Sequence, residues 1–261
     1  MKKASANVSS NSMAKKSLGQ HFLMHARIAE RIAMVAQIEG EVVLEIGPGT
    51  GILTRALLAK AHKVIAIETD HELMPKLRET FATEIAEKKL ELIEGDIRTF
   101  DPGTITGNYA LVANIPYYLT GEIFRQFLET EHQPRSLTLL VQKEVAERVA
   151  RSKKESLLSL SIKAYGLPKY EFTVPRGAFV PAPGVDSAVL SIRDISHTHF
   201  KTREEERRFF ALIHAGFAHK RKILSNNLLS AGLSAEGVAP NARAEDLHLP
   251  EWLELARNTH I

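Results

Sequence analysis

The chain contains no cysteine, which removes disulfide frameworks, thiolate metal sites and thiol nucleophiles together. Long apolar runs are missing too: none reaches the roughly 18–20 residues that a membrane span needs. The opening stretch, MKKASANVSSNSMAKKS, lacks the apolar core of a secretory signal. These absences predict a soluble, cytoplasmic protein. What remains, 44% hydrophobic and 25% charged over 261 residues, excludes a wholly disordered chain. Its length suits one large domain, or a catalytic domain with a small appendage.

Net charge is small at +3, yet it is unevenly spread. Residues 1–35 carry six bases and one acid, whereas residues 36–140 carry ten bases and sixteen acids. Basic excess returns afterwards, and the stretch 201–222 has seven bases against three acids. An acidic middle between basic flanks suits a small cationic ligand at the centre and a polyanion outside. A basic tail and solvated helix faces would give the same counts.

Residues 1–14 are polar, Ser- and Asn-rich, and read as a flexible basic tail. Helical spacing over Ala26–Ile38 follows. Strand-like and helix-like segments then alternate: strands at Val42–Ile46, Lys63–Ile67, Leu90–Ile93, Tyr109–Ala113 and Leu137–Val141, with helices over Ile52–Lys60, Glu72–Phe81, Gly121–Glu129 and Glu144–Arg151. Near-continuous apolar strands between amphipathic helices imply an α/β fold, its parallel sheet covered on both faces. Tyr170–Val174 and Ser187–Ile192 read as a hairpin-like addition to the sheet edge. Asp194–Thr202 reads as a linker. Short helices over Glu204–Phe217, Arg221–Ser230 and near Pro250–Arg257 follow it. The predicted domains are 15–197, α/β, and 198–261, small and all-helical.

Glu45-Ile46-Gly47-Pro48-Gly49-Thr50-Gly51 follows the first of these strands and opens a helix. Glycines there let the backbone turn sharply and approach a ligand without Cβ clashes. Glu68, 21 residues beyond Gly47 at the end of the next strand, is spaced to accept hydrogen bonds from a ribose diol. NAD-binding and S-adenosylmethionine-binding sheets share this pattern, and a tight turn with a surface Glu has the same letters. Two details favour the methyl donor. Glu45 precedes the glycines, where its charge would repel a pyrophosphate but suit a sulfonium. Asp96 ends the third strand, where a carboxylate can accept from an adenine amino group, although an Asp after Gly is also a common turn residue.

Asn114-Ile115-Pro116-Tyr117-Tyr118 ends the fourth strand, at the edge where open α/β sheets bind ligands. Such residues also make an ordinary turn. Beside the glycine loop, Asn-Ile-Pro-Tyr matches the [Asn/Asp/Ser]-Pro-Pro-[Tyr/Phe]-type pattern of methyltransferases acting on exocyclic amino nitrogens. An adenine amine is a poor nucleophile because its lone pair is delocalised into the ring. Hydrogen bonds from it to the Asn114 side-chain oxygen and to a backbone carbonyl near Ile115–Pro116 would hold it in line with the sulfonium methyl. They would also favour the positive charge that develops. Tyr117 would stack on the base. The methylated nitrogen is strongly acidic and can lose its proton to water, so none of the eleven His is required as a base.

Here the residues resemble a family. Lys15-Lys16-Ser17-Leu18-Gly19-Gln20-His21-Phe22-Leu23 is similar to the Lys-x-x-x-Gly-Gln-[Asn/His]-Phe-Leu entry of the ribosomal RNA adenine N6,N6-dimethyltransferases. The glycine loop, Glu68, Asp96 and Asn-Ile-Pro-Tyr match that family in order and spacing. So do Gln142–Arg148, Phe179–Val189 and the Arg-Lys-x-x-x-Asn-x-Leu stretch Arg221–Leu228. The resemblance runs from about Lys15 to Leu228 and is greatest to the small-subunit (16S) members.

The resemblance implies a Rossmann-like class I methyltransferase sheet, S-adenosyl-L-methionine as cofactor and no metal. It also implies dimethylation at N6 of two adjacent adenosines in the 3′-terminal hairpin of 16S rRNA, within an immature small subunit, by a monomer. The segment holding His21 and Leu23 would fold over the cofactor, and Phe179 would sandwich the target base against Tyr117. Bare of the family, Phe22 and Leu23 read as core and Phe179 as a loop anchor. Lys15 and Lys16, and a basic helix bearing Lys220, Arg221 and Lys222, would contact RNA. Arg151–Ser159 departs from the family's Gly-Ser-Lys-x-Tyr-Gly-x-Leu-Ser in a loop expected to face substrate, and Tyr118 replaces a frequent Asn. Two rivals stay open: the same chemistry on 23S rRNA, and a non-catalytic assembly or transcription factor on this fold.

Overall fold

A computed structural model describes residues 19–258, so Lys15 and Lys16 lie outside the described residues. A short strand β1 (Phe22–Leu23) leads into helix α1 (Ala26–Ala36). Alternation follows with β2 (Val42–Ile46), α2 (Ile52–Leu58), β3 (Lys63–Glu68), α3 (Met74–Thr80), α4 (Ala82–Ala86) and β4 (Leu90–Glu94). Next come β5 (Tyr109–Ala113), α5 (Thr120–Leu128), β6 (Ser136–Gln142) and α6 (Lys143–Ala150). Helix α7 (Leu157–Lys163) precedes β7 (Leu167–Val174), β8 (Phe179–Val180) and β9 (Ser187–Arg193). Helices α8 (Arg203–Gly216), α9 (Leu224–Ser230) and α10 (Leu249–Asn258) lie beyond. Among the described residues no helix is long and apolar enough to cross a membrane.

Seven strands form one sheet in the order β4-β3-β2-β5-β6-β9-β7. The first five are parallel, and β9 runs antiparallel to both β6 and β7. β5 is apolar and buried at all five positions, as a strand covered on both faces must be. Alternate residues of β2 divide between two cores. Leu44 and Ile46 join the layer beneath α5 and α8, and Val43 joins the layer beneath α1 and α2. The expected antiparallel pair forms, but its second strand enters the sheet between β6 and β7. Composition explains the choice: β9 is buried at six of its seven positions, whereas β7 carries Lys169 and Glu171 and alternates between burial and exposure as an edge strand does.

Phe209, Leu212 and Trp252 from the C-terminal helices share the buried layer of Leu190 and Tyr165. Trp252 is fully buried and so close to α8 that a Cβ on Gly216 would stand 2.4 Å from its ring. The segment Arg151–Ser159 does not remain a loop. Ser156 and Ser159 form a reciprocal capping box that starts α7. Glu155 turns inward, with an ion pair to Lys163 at 2.6 Å and its backbone N–H on the Glu245 carbonyl at 2.7 Å. Only Arg151–Lys154 stay exposed.

Candidate active site at the carboxyl edge of the sheet

β3 and β4 lie to one side of β2, and β5 and β6 to the other, so the chain's direction of progress reverses between β2 and β5. A crevice opens at such a reversal. The register Ile46↔Ala113 makes Gly47 and Asn114 leave the sheet side by side. Likewise Glu68↔Glu94 sets Glu68 next to the Gly95-Asp96 turn. One cavity collects His21, Leu23, Gly47, Gly49, Glu68, Asp96, Asn114, Pro116, Tyr117 and Phe179, the described residues predicted for cofactor or chemistry apart from Glu45.

The glycine loop is held from both sides. Gly47 and Gly49 take φ of +67° and +57°, and a Cβ on Gly49 would stand 3.0 Å from the Phe22 ring. Glu68 spans the loop: its Oε2 accepts from the Gly49 N–H at 3.0 Å and its Oε1 from the Asp70 N–H at 2.8 Å. Each oxygen keeps a further lone pair. Burial raises the Glu68 carboxyl above the ordinary range. Glu45 differs from expectation. It is fully buried and stands outside the cavity lining, and burial lifts its pKa to about 8. At neutral pH it is mostly protonated, so acidic character at the cavity comes from Glu68 and Asp96.

The roof is a two-stranded ribbon in which β1 pairs antiparallel with β8, Phe22 opposite Val180 and Leu23 opposite Phe179. His21 Nδ1 lies 2.7 Å from the Pro181 carbonyl, which ties the strap to the Phe179 segment. Asn114 Nδ2 donates to the His21 carbonyl at 3.2 Å, so the amide's donor end is engaged and Oδ1 remains as an acceptor. The Tyr117 hydroxyl and Ser187 Oγ are hydrogen-bonded at 2.7 Å. The ring nearest Tyr117 is His21, 6.2 Å between centroids, and among the described residues no ring contact joins Tyr117 to Phe179.

The profile described as "Ribosomal RNA adenine dimethylase" matches residues 11–259. The chain belongs to the ribosomal RNA adenine dimethylase family. A "Ribosomal RNA small subunit methyltransferase A" of Dehalococcoides mccartyi is 41% identical, over 93% of this chain and 87% of that one. The protein of the same name from Caulobacter vibrioides is 38% identical, over 95% and 98%. Among solved structures, the 23S rRNA methyltransferase ErmE superposes with a TM-score of 0.73 at 27% identity, covering 90% of this chain and 98% of its own. A dimethyladenosine transferase from Plasmodium falciparum gives 0.75 at 24% identity, covering 90% and 96%, a likeness of fold. The architecture is that of a class I methyltransferase.

In this dimethylase chain the basic run departs from the sequence reading, as Glu45 does. Lys220, Arg221 and Lys222 are exposed, but they lie in the turn between α8 and α9 and not on a helix. α9 begins only at Leu224, because Ile223 is extended and the Leu224 N–H goes to the Ala242 carbonyl at 2.7 Å. Asn227 closes that turn, donating to the Gly216 and His219 carbonyls at 2.6 and 3.2 Å. Asp96, for its part, caps a short turn through the Arg98 N–H and pairs with the Arg98 guanidinium, which lowers its pKa. Sequence reasoning missed Ser187 as the anchor of Tyr117 and Pro181 as the anchor of His21. Both stand in or beside quoted motifs, but nothing local marks a partner 70 or 160 residues away.

Proposed function

We propose that this dimethylase transfers methyl groups from S-adenosyl-L-methionine to N6 of two adjacent adenosines in the 3′-terminal hairpin of 16S rRNA, acting as a monomer on an immature small subunit. The observation that carries the reading is Asn114: an amide with its donor end engaged by the His21 carbonyl, at the switch point of the sheet and beside Tyr117. An acceptor so fixed suits an amino group and not a carbonyl.

The cavity fits the methyl donor. Gly47 and Gly49 supply a surface free of Cβ atoms, Glu68 has lone pairs for a ribose diol, and Asp96, whose oxygens both accept from Arg98, would have to share one of them with an adenine amine. When bound, that cofactor supplies an electrophilic methyl on a sulfonium. Asn114 Oδ1 and a carbonyl of the Ile115–Pro116 segment accept from the two N–H groups of the target amine and orient its lone pair. Tyr117, braced by Ser187, stacks on the base, and Phe179 covers it from the roof. Water removes the proton after transfer. Lys15, Lys16, Lys220, Arg221 and Lys222 hold RNA phosphate.

The test is methyl-labelled S-adenosylmethionine with undermethylated small subunits, large subunits and naked RNA, followed by mapping of the label. Dimethyladenosine in the small-subunit 3′ hairpin is expected. Label confined to large-subunit RNA would move the target to 23S rRNA. No label on any RNA, despite tight cofactor binding, would make the chain an assembly factor.

A further inference from the structure

Extended backbone at Pro116 leads into a single 3-10 turn, Tyr117–Leu119. That turn separates two successive rings. Tyr117 goes inward to Ser187, while Tyr118 stays 65% exposed, the only ring among the most exposed large apolar side chains of the described residues. Among the described residues it makes no ring contact and its hydroxyl no hydrogen bond. The ring is nevertheless supported. A Cβ on Gly19 would stand 3.4 Å from Tyr118 Cε1 and 3.5 Å from Pro116 Cβ, and Gly19 takes a φ of +60° that side chains rarely adopt. Main chain therefore backs the ring at the mouth of the cavity that holds Asn114. Arg98 stands on the same rim, its guanidinium paired with Asp96, Nε lying 3.0 and 2.9 Å from the two carboxylate oxygens.

A backed, solvent-facing ring at the mouth of a cavity is what stacks an unpaired base. With a target base against Asn114, the base adjoining it in the strand comes to the cavity mouth where Tyr118 stands. We infer that Tyr118 is the stacking platform for the nucleotide next to the target adenosine. The inference rests on the small-subunit reading for the identity of that nucleotide, the second adenosine of the pair. Tyr118 then sets register: while one adenosine lies against Asn114, its neighbour is held on the rim.

Tyr118→Ala is expected to raise both Kd and KM for undermethylated small subunits by about 5- to 100-fold, with affinity for S-adenosylmethionine unchanged. Tyr118→Phe keeps the ring and wild-type values. In subunits reconstituted with an abasic residue at the neighbouring position, the wild type should weaken towards the Tyr118→Ala value and the variant should lose nothing more. Equal subunit affinity of wild type and Tyr118→Ala would overturn the inference. Reduced cofactor affinity with subunit affinity intact would do the same, making Tyr118 a cofactor cover. If wild type methylates only large-subunit RNA, the small-subunit reading falls by itself, and the same comparison on that RNA decides Tyr118.

Discussion

Glu45→Gln tests the electrostatics beneath the glycine loop. Glu45 has no exposed surface, and among the described residues neither carboxyl oxygen nor the nearby Thr54 hydroxyl has a hydrogen-bond partner. Burial, opposed by Thr54 and reinforced by the charge of Glu68, lifts the carboxyl from 4.5 to about 8. Between those values the folded chain holds a proton that the unfolded chain has released. The contribution of this group to stability therefore falls as pH rises from 4.5 to 8 and is level above. At 1.36 kcal/mol per tenfold change in proton affinity, the cost is about 3 kcal/mol at pH 7 and on the order of 5 kcal/mol beyond pH 8. Gln has nearly the same volume and cannot ionise. Urea denaturation of both chains at pH 5, 7 and 9 should show the variant gaining on the wild type by about 3 kcal/mol from pH 5 to 7 and by roughly 1–2 kcal/mol more by pH 9. A constant offset would report only how the amide fits. Curves separated equally at all three pH values would refute the reasoning, since Glu45 would then titrate normally in the fold.

Asn114→Ala should leave cofactor affinity, measured by calorimetry, within about twofold and cut the single-turnover methylation rate by roughly 100-fold or more. Asp96→Ala should weaken cofactor binding about 10- to 100-fold, the value of a hydrogen bond to a charged group; wild-type affinity in calorimetry would contradict the adenine contact. Gly216→Ala forces a methyl group against the Trp252 ring and should cost about 1–3 kcal/mol in urea denaturation, with the cofactor cavity unaffected.

The legible parts were those in which one element carries its own signal. β5 is apolar throughout and β2 is apolar but for Glu45, the glycines follow β2 directly, and Asn114 follows β5 directly, so both halves of the site could be placed on one sheet edge. Signals that depend on distant partners failed. Lys220–Lys222 read as helix because the basic run continues into an amphipathic stretch, yet Asn227 reaches back across the turn and delays the helix to Leu224. α7 went unseen because Ser156 and Ser159 resemble loop residues until they are paired as a cap. The position of β9 between β6 and β7 depends on comparing the burial of two strands, and the hairpin's sequence order does not disclose it. Glu45 misled because a carboxylate was expected to be charged, and burial removes that charge.

The β1–β8 ribbon also sets a schedule for synthesis. His21 and Pro181 are 160 residues apart in sequence, and the strap over the cavity is held by pairing at that separation. During translation the glycine loop, Glu68 and Asn114 can all be made while the strap has nothing to pair with. The cofactor pocket cannot acquire its roof until Pro181 has left the ribosome, and contacts so distant in sequence form late because loop closure must precede them. Until then the nascent chain exposes Phe22 and Leu23, and a ligand that favours the roofed state would draw the ribbon shut.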